Sequence, residues 1–111
     1  MPIKNLGKRF KELREKDLDL GQVELAKMLG VTQATVSAVE TGKNKGLSLE
    51  NLIKLVEICK DVEGKYLSLN WLIMDFGSKF ISSVEETNAQ FDELVKKEDC
   101  YFDENGFLRK K

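Results

Sequence analysis

Residues 32–40 read TQATVSAVE, a run of short hydrogen-bonding and methyl side chains where a surface helix usually carries Lys and Glu. Gln33 holds a donor and an acceptor in one planar amide, the pair needed to meet the N6–N7 edge of an adenine with two bonds. Ala34 and Thr35 bring methyl groups that can rest against a thymine methyl. Ser37 and Ala38 are small enough for a helix backbone to come close to a groove floor. The loop that follows, TGKNKG, sets Thr41, Lys43, Asn44 and Lys45 together. Its two ammonium groups supply salt-sensitive attraction to phosphate oxygens, and Asn44 can donate a hydrogen bond. Backbone N–H groups at helix starts near Gln22 and Thr32 also favour phosphate oxygens. Plain readings fit the same residues: a helix opening for Gln33, solvated hydroxyls for Thr35 and Ser37, and an ordinary polar turn for the lysines.

Such a face is useful only if neighbouring segments hold it outward. Leu6, Phe10 and Leu13 recur at helical spacing with Lys and Arg between them, which predicts a first helix over residues 4–17. DLDLG is a loop. Gln22 to Leu29 is a second helix of about two turns, and Gly30 stands where a helix end favours positive φ. Thr32 caps a third helix that runs to Glu40. Leu25, Leu29, Val31, Val36 and Val39 are apolar where a helix-turn-helix must bury side chains, and Ala26 is small where its two helices approach. Ser48 caps a fourth helix, with Leu52, Ile53, Leu55, Val56 and Cys59 on a broad buried face. A fifth, Leu69 to Phe76, is centred on Trp71 and ended by Gly77. No strand alternation shows in residues 4–77. The expectation is an all-α domain of five short helices over residues 1–77.

At this point the residues resemble a known family. Leu13 to Gly42 is similar to the lambda-repressor-like, or XRE-type, helix-turn-helix transcriptional regulators. SLENLIKLVEICK and LNWLIMDFG resemble that family's fourth and fifth helices. The resemblance covers roughly the first 77 residues. It implies a five-helix DNA-binding domain whose third helix enters the major groove, with Gln33, Ala34, Thr35, Ser37 and Ala38 on or near the DNA side and Thr32 at its start. It implies that Gln22 clamps a phosphate, that Thr41, Lys43, Asn44 and Lys45 touch the DNA backbone, and that Arg14 and Glu40 form a buried ion pair. One departure stands out: DLDLG sets one extra residue between Arg14 and Gln22 relative to the family's usual spacing.

Residues 78–111 are expected to form a tail outside that resemblance. Ser78 to Glu98 lacks glycine and proline and predicts one longer C-terminal helix. Ile81, Val84, Asn88, Phe91 and Val95 follow a 3, 4, 3, 4 spacing along it, a heptad-like seam. Asn88 at such a seam can fix the register of a homodimer, and paired recognition helices about 34 Å apart would read a palindromic site. A helix packed on its own domain fits the same residues. The acidic side chains Glu85, Glu86, Asp92, Glu93, Glu98 and Asp99 suit a basic protein partner, as in an antitoxin holding a toxin, or simply a solvated helix. Asn105-Gly106 is a hairpin signal, so the end is a small β-ribbon or a frayed tail.

The chain of 111 residues has a formal net charge of −1, unevenly spread. Residues 1–60 hold 11 Lys/Arg against 8 Asp/Glu, and residues 61–111 hold 7 against 11. The phosphate-compatible half is therefore N-terminal. With no histidine, two distant cysteines and no glycine-rich phosphate loop, neither a metal site, a cofactor nor an enzyme is expected. Cys59 falls on an apolar helical stripe and reads as core. No apolar run is long enough to span a membrane, and the first residues lack the apolar core of a signal peptide, so a cytoplasmic protein is expected. Two readings remain: a sequence-specific, double-stranded-DNA-binding regulator, of repressor type and dimeric, or a protein-interaction module on the same fold.

Overall fold

The computed structural model describes residues 5–42, 47–96, 100–104 and 106–110. Hydroxyl caps decide where several helices begin. Thr32, Ser48 and Ser68 each accept a bond from the backbone N–H three residues on, at 3.2, 3.1 and 3.3 Å. The N-terminal half holds α1 (Leu6–Glu12), which runs on through one wide π-type turn (Leu13–Asp17), then α2 (Gln22–Leu29) and α3 (Gln33–Thr41). Next come α4 (Leu49–Glu63), the short strand β1 (Tyr66–Leu67) and α5 (Leu69–Met74). The chain closes with β2 (Phe80–Ile81), α6 (Val84–Lys96), β3 (Cys100–Phe102) and β4 (Leu108–Lys110). Gly30 makes the bend between α2 and α3 with φ of 75°, as its position requires.

The five expected helices are present, and their apolar faces meet in one core that includes Phe10, Leu13, Leu25, Val36, Leu55 and Leu72. Cys59 is fully buried there, and burial pushes its thiol pKa up to about 12, so it packs as a small apolar group. Arg9 closes the domain from α1. Its guanidinium is buried, and its Nε and Nη2 donate to the Leu72 and Ile73 carbonyls, at 2.6 and 3.1 Å. These carbonyls belong to the last turn of α5, which has no intrahelical donors for them. α1 also lies directly on the end of α3. A Cβ added at Gly7 would collide with the Val39 and Glu40 carbonyl oxygens.

Four expectations need correction. Ile53 is not on the buried face of α4; it is 51% exposed. The buried stripe is the narrower row Leu52, Leu55, Ile58 and Cys59, and Ile53 lies about 100° around the helix from Leu52. α5 ends at Met74 rather than at Gly77, because Asp75 takes the left-handed turn with φ of 56°. Residues 66–67 are a strand, paired antiparallel with residues 80–81 in the register Tyr66↔Ile81 and Leu67↔Phe80. Finally, the long helix does not start at Ser78. Ile81 is held in β2, so it cannot stand on a seam with Asn88, and α6 begins at Val84. The side chains of Val84, Phe91 and Val95 lie outside the described residues, so the rest of that seam does too.

The C-terminal elements pack onto this core. Thr87 is buried and its hydroxyl donates to the Leu67 carbonyl at 3.2 Å. Gln90 accepts the Leu69 N–H at 2.7 Å, so a side chain from α6 caps the start of α5. β3 pairs antiparallel with β4 around the expected hairpin turn, of which Asn105 lies outside the described residues, and Phe107, just before β4, bridges to Ser48. Lys79, just before β2, reaches back to the π turn. Its ammonium meets Glu12 at 2.6 Å and Asp17 at 2.7 Å, over the Trp71 ring.

Two predictions follow from these contacts. Gly7→Ala gains about 1 kcal/mol of helix propensity, but overpacking against two backbone carbonyls costs more. With an overpacking cost of roughly 1–3 kcal/mol set against that gain, a net loss of up to about 2 kcal/mol is expected, read as a lower midpoint in urea. The second concerns pH. The hydrogen bond from Lys79 holds the Glu12 carboxyl below its ordinary 4.5. A lowered folded value stabilises above the unfolded value and is lost as pH falls through the folded one. The stability gap between the wild type and Lys79→Met should therefore shrink below pH 4.5. On the alkaline side, burial lowers the Lys79 pKa, but the bonds to Asp17 and Glu12 outweigh it and raise the ammonium above 10.5. That contribution disappears only as pH climbs through the raised value. Urea melts across the pH range check both limbs.

Candidate nucleic-acid interface

Glu40 is the only charged residue in α3, QATVSAVET, and its side chain is 3% exposed. The outward surface of α3 therefore shows solvent no formal charge. Gln33 and Ala34 are exposed, Thr35, Ser37 and Ala38 are half-buried, and Thr32 and Thr41 are exposed at the two ends. Val36 and Val39, 1% and 5% exposed, anchor the opposite face in the core. Thr32 spends its hydroxyl on the cap, accepting the Thr35 N–H and lying 3.0 Å from the Thr35 hydroxyl. Thr41 donates to the Ser37 carbonyl at 3.0 Å, so its proton is turned into its own helix. Lys43, Asn44 and Lys45 lie outside the described residues.

The Arg14–Glu40 pair is formed in spite of the extra residue in DLDLG. Arg14 Nε and Nη2 donate to the two Glu40 oxygens, at 2.6 and 3.0 Å, and Nη1 donates to the Leu20 carbonyl at 2.9 Å. The π turn over residues 13–17 is the local reason. An i→i+5 turn takes up one residue more than an α turn, so the insertion is absorbed before the loop. Its cost is met by the Lys79 clamp on Asp17 and by the bidentate pair itself. The bond to Glu40 raises the Arg14 pKa against the opposing effect of burial.

This pair carries a polarity outward. A carboxylate only accepts, so Gln22 presents its NH2 group to Glu40 Oε1, at 3.0 Å. Its amide oxygen is thereby turned away from the core, where it accepts from Gln33 Nε2 at 3.3 Å. Gln33 is exposed and keeps one further Nε2 hydrogen and its Oε1 beyond this bond, a donor and an acceptor of the kind an adenine edge takes. The structure thus brings Gln22 and Gln33 together and gives each amide one orientation. Sequence reasoning assigned Gln22 to a phosphate and Glu40 to an ion pair, and missed that the two are bonded. No local pattern signals a contact between residues 22 and 40. Among the described residues, no cluster of three His, Cys, Asp or Glu side chains could hold a metal ion. Among the described residues, no helix is long and apolar enough to cross a membrane.

The buried pair gives a stability test. Glu40→Ala takes the bidentate partner from the Arg14 guanidinium, whose side chain is 8% exposed, and leaves it only the exposed Glu15 carboxylate at 3.9 Å. The expected cost is about 3–5 kcal/mol in chemical unfolding. Arg14→Met with Glu40→Leu should recover most of it, because no charge is then left buried.

The family model agrees with this geometry. The helix-turn-helix family model matches residues 10–67, slightly more than half of the chain. A solved structure, the solution structure of the DNA-binding domain (1–76) of the P22 C2 repressor, is 30% identical to this chain. That match covers 54% of this chain and 76% of the repressor domain, with a TM-score of 0.43. No curated protein matches the chain. The bend at Gly30, the capped α3 and the match over residues 10–67 establish that the chain belongs to the helix-turn-helix family, of the lambda-repressor-like (XRE) type.

Proposed function

We propose that this protein is a sequence-specific, double-stranded-DNA-binding transcription regulator of repressor type, inside the cell, that inserts α3 into the major groove and acts by binding rather than catalysis. The observation that carries this reading is the uncharged outer face of α3 with Gln33 held on it in one amide orientation. A solvated helix gains nothing from a fixed amide, and a protein-docking face needs exposed aromatic or large apolar side chains. α3 has neither, since its valines are buried. Gln33 reads a base edge, Ala34 and Thr35 meet a methyl or the groove wall, and Ser37 and Ala38 permit close approach. Gln22 shares its site with Gln33 and positions it, next to the phosphate it would contact. Lys43, Asn44 and Lys45 belong to the backbone-contacting set, and Thr41 joins it when its hydroxyl turns from the Ser37 carbonyl to a phosphate oxygen. The protein acts as a homodimer on a two-fold site, because one α3 reads too few base pairs for a unique operator.

Selection of bound duplexes from a random pool tests this. The enriched motif should have two-fold symmetry, with half-sites one helical turn apart. Gln33→Ala should remove the preference at one position per half-site and cost about 1–3 kcal/mol. Gln22→Ala should weaken the same preference by letting the amide rotate, as well as lowering overall affinity. Affinity should fall steeply with salt. Enrichment of nothing beyond a diffuse AT bias would overturn specific readout by α3.

A further inference from the structure

α4 carries a second surface that α3 does not use. Leu49 and Ile53, one turn apart, are 41% and 51% exposed. They wall an open groove of about 360 Å³, floored by Leu52, Val56 and Leu69 and closed on the far side by Asn88 of α6. Contiguous exposed apolar surface marks interaction sites, and here the two residues adjoin a concave apolar groove. The rim is acidic. Glu57 lines it and Glu50 flanks Leu49. Glu85 and Asp92, one turn to either side of Asn88, are exposed on the α6 side. The cation at this rim among the described residues, Lys54, is engaged with Glu50 at 3.3 Å and with the Leu29 carbonyl at 3.3 Å.

We propose that this groove docks an amphipathic helix of another protein, apolar at i, i+4 and i+7 and flanked by Lys or Arg. The reading goes beyond the DNA face and does not depend on it. Charge selects the occupant. The acidic rim repels nucleic acid. Around a two-fold axis it would also set Glu50 and Glu57 against a second acidic rim, so a second copy is disfavoured. A basic helix matches both the apolar floor and the carboxylates. From Leu49 to Glu57, α4 rises about 12 Å, which accommodates about two turns of a helix laid along it.

The test uses the full chain and a fluorescein-labelled peptide of roughly 15 residues, with Leu at those positions and Lys elsewhere. A second peptide replaces every Lys by Glu. Anisotropy is read at about 0.15 M salt, where exposed charges beyond ~8 Å are screened. The Lys peptide should bind, and the Glu peptide should bind at least roughly tenfold more weakly. Ile53→Asp separates docking from simple attraction. It adds negative charge, so charge alone would strengthen binding, whereas docking predicts a loss of roughly tenfold or more. Leu49→Asp is the replacement should Ile53→Asp melt early by circular dichroism, and Gln33→Ala should bind the peptide like the wild type. Unchanged or tighter binding by Ile53→Asp overturns the proposal. So does a wild-type dimer that Ile53→Asp turns into a monomer in sedimentation, because the groove then holds a second copy. Neither result touches readout by α3, which the duplex selection reports separately.

Discussion

The carboxylate of Glu40 is the constraint from which the rest of the site follows. It is buried, it can only accept, and two different elements must reach it. Arg14 arrives from the π turn that continues α1 and Gln22 from α2, while Glu40 itself stands near the end of α3. One side chain thus ties three helices at a point behind the outward face. Gly7 belongs to the same constraint. It lets the α1 backbone lie on the Val39 and Glu40 carbonyls, and Arg14, seven residues on, lies two turns along the same face. Moving α1 away from α3 would therefore loosen the packing and the ion pair together. The π turn and the Lys79 clamp hold the other end of α1, so the position of Arg14 is fixed from both sides.

Stability alone does not explain such a pair. Desolvating two charges costs several kcal/mol each, and a well-packed apolar pair of similar volume holds a core as well. What apolar residues cannot supply is direction. Without a carboxylate behind it, the Gln22 amide has two orientations of similar energy, and Gln33 inherits the ambiguity. With it, the order acceptor, donor, acceptor, donor runs outward from Glu40 through Gln22 to Gln33. The proposed readout needs that order, since an adenine edge presents one donor and one acceptor in a fixed sense. The pair is best understood as the part that fixes which way the exposed amide faces.

How much of this was legible in the sequence depended on how local the physics is. The Gly30 bend, the Thr32 cap and the spacing of Leu25, Leu29, Val36 and Val39 are decided within a few residues, and they were readable. The Arg14–Glu40 pair came only through the family resemblance, because residues 14 and 40 share no local pattern. The π turn needed tertiary partners before an inserted residue could be stored there. β1 and β2 are two residues each and exist through pairing with each other, so no alternation could announce them. A helix from Ser78 is too long, and the sequence itself carries the later start. Ser83 and Glu86 form an S-x-x-E pattern, and Ser83 does accept the Glu86 N–H, at 3.3 Å. That start signal outweighs a heptad count that includes Ile81. Ile53 was misplaced for a related reason: helical spacing names an apolar face but not how wide a stripe the core will cover.

α4 joins the two surfaces. Its inner stripe packs on α2 and the core, and its outer residues form the groove. Lys54 spans them, donating to the Leu29 carbonyl at the end of α2 while holding Glu50 on the rim. The Leu29 carbonyl lies one residue before the Gly30 bend, so the ammonium supports the turn that sets α3 against α2. A basic helix in the proposed groove would offer Glu50 a second cation and weaken its hold on Lys54. Any change this makes at the bend is a change in the energy of placing α3. Linkage then requires the reverse effect, since a ligand on α3 that favours one setting of the bend must alter the affinity of the groove by the same factor. One lysine and its two acceptors are what lies between the groove rim and the bend.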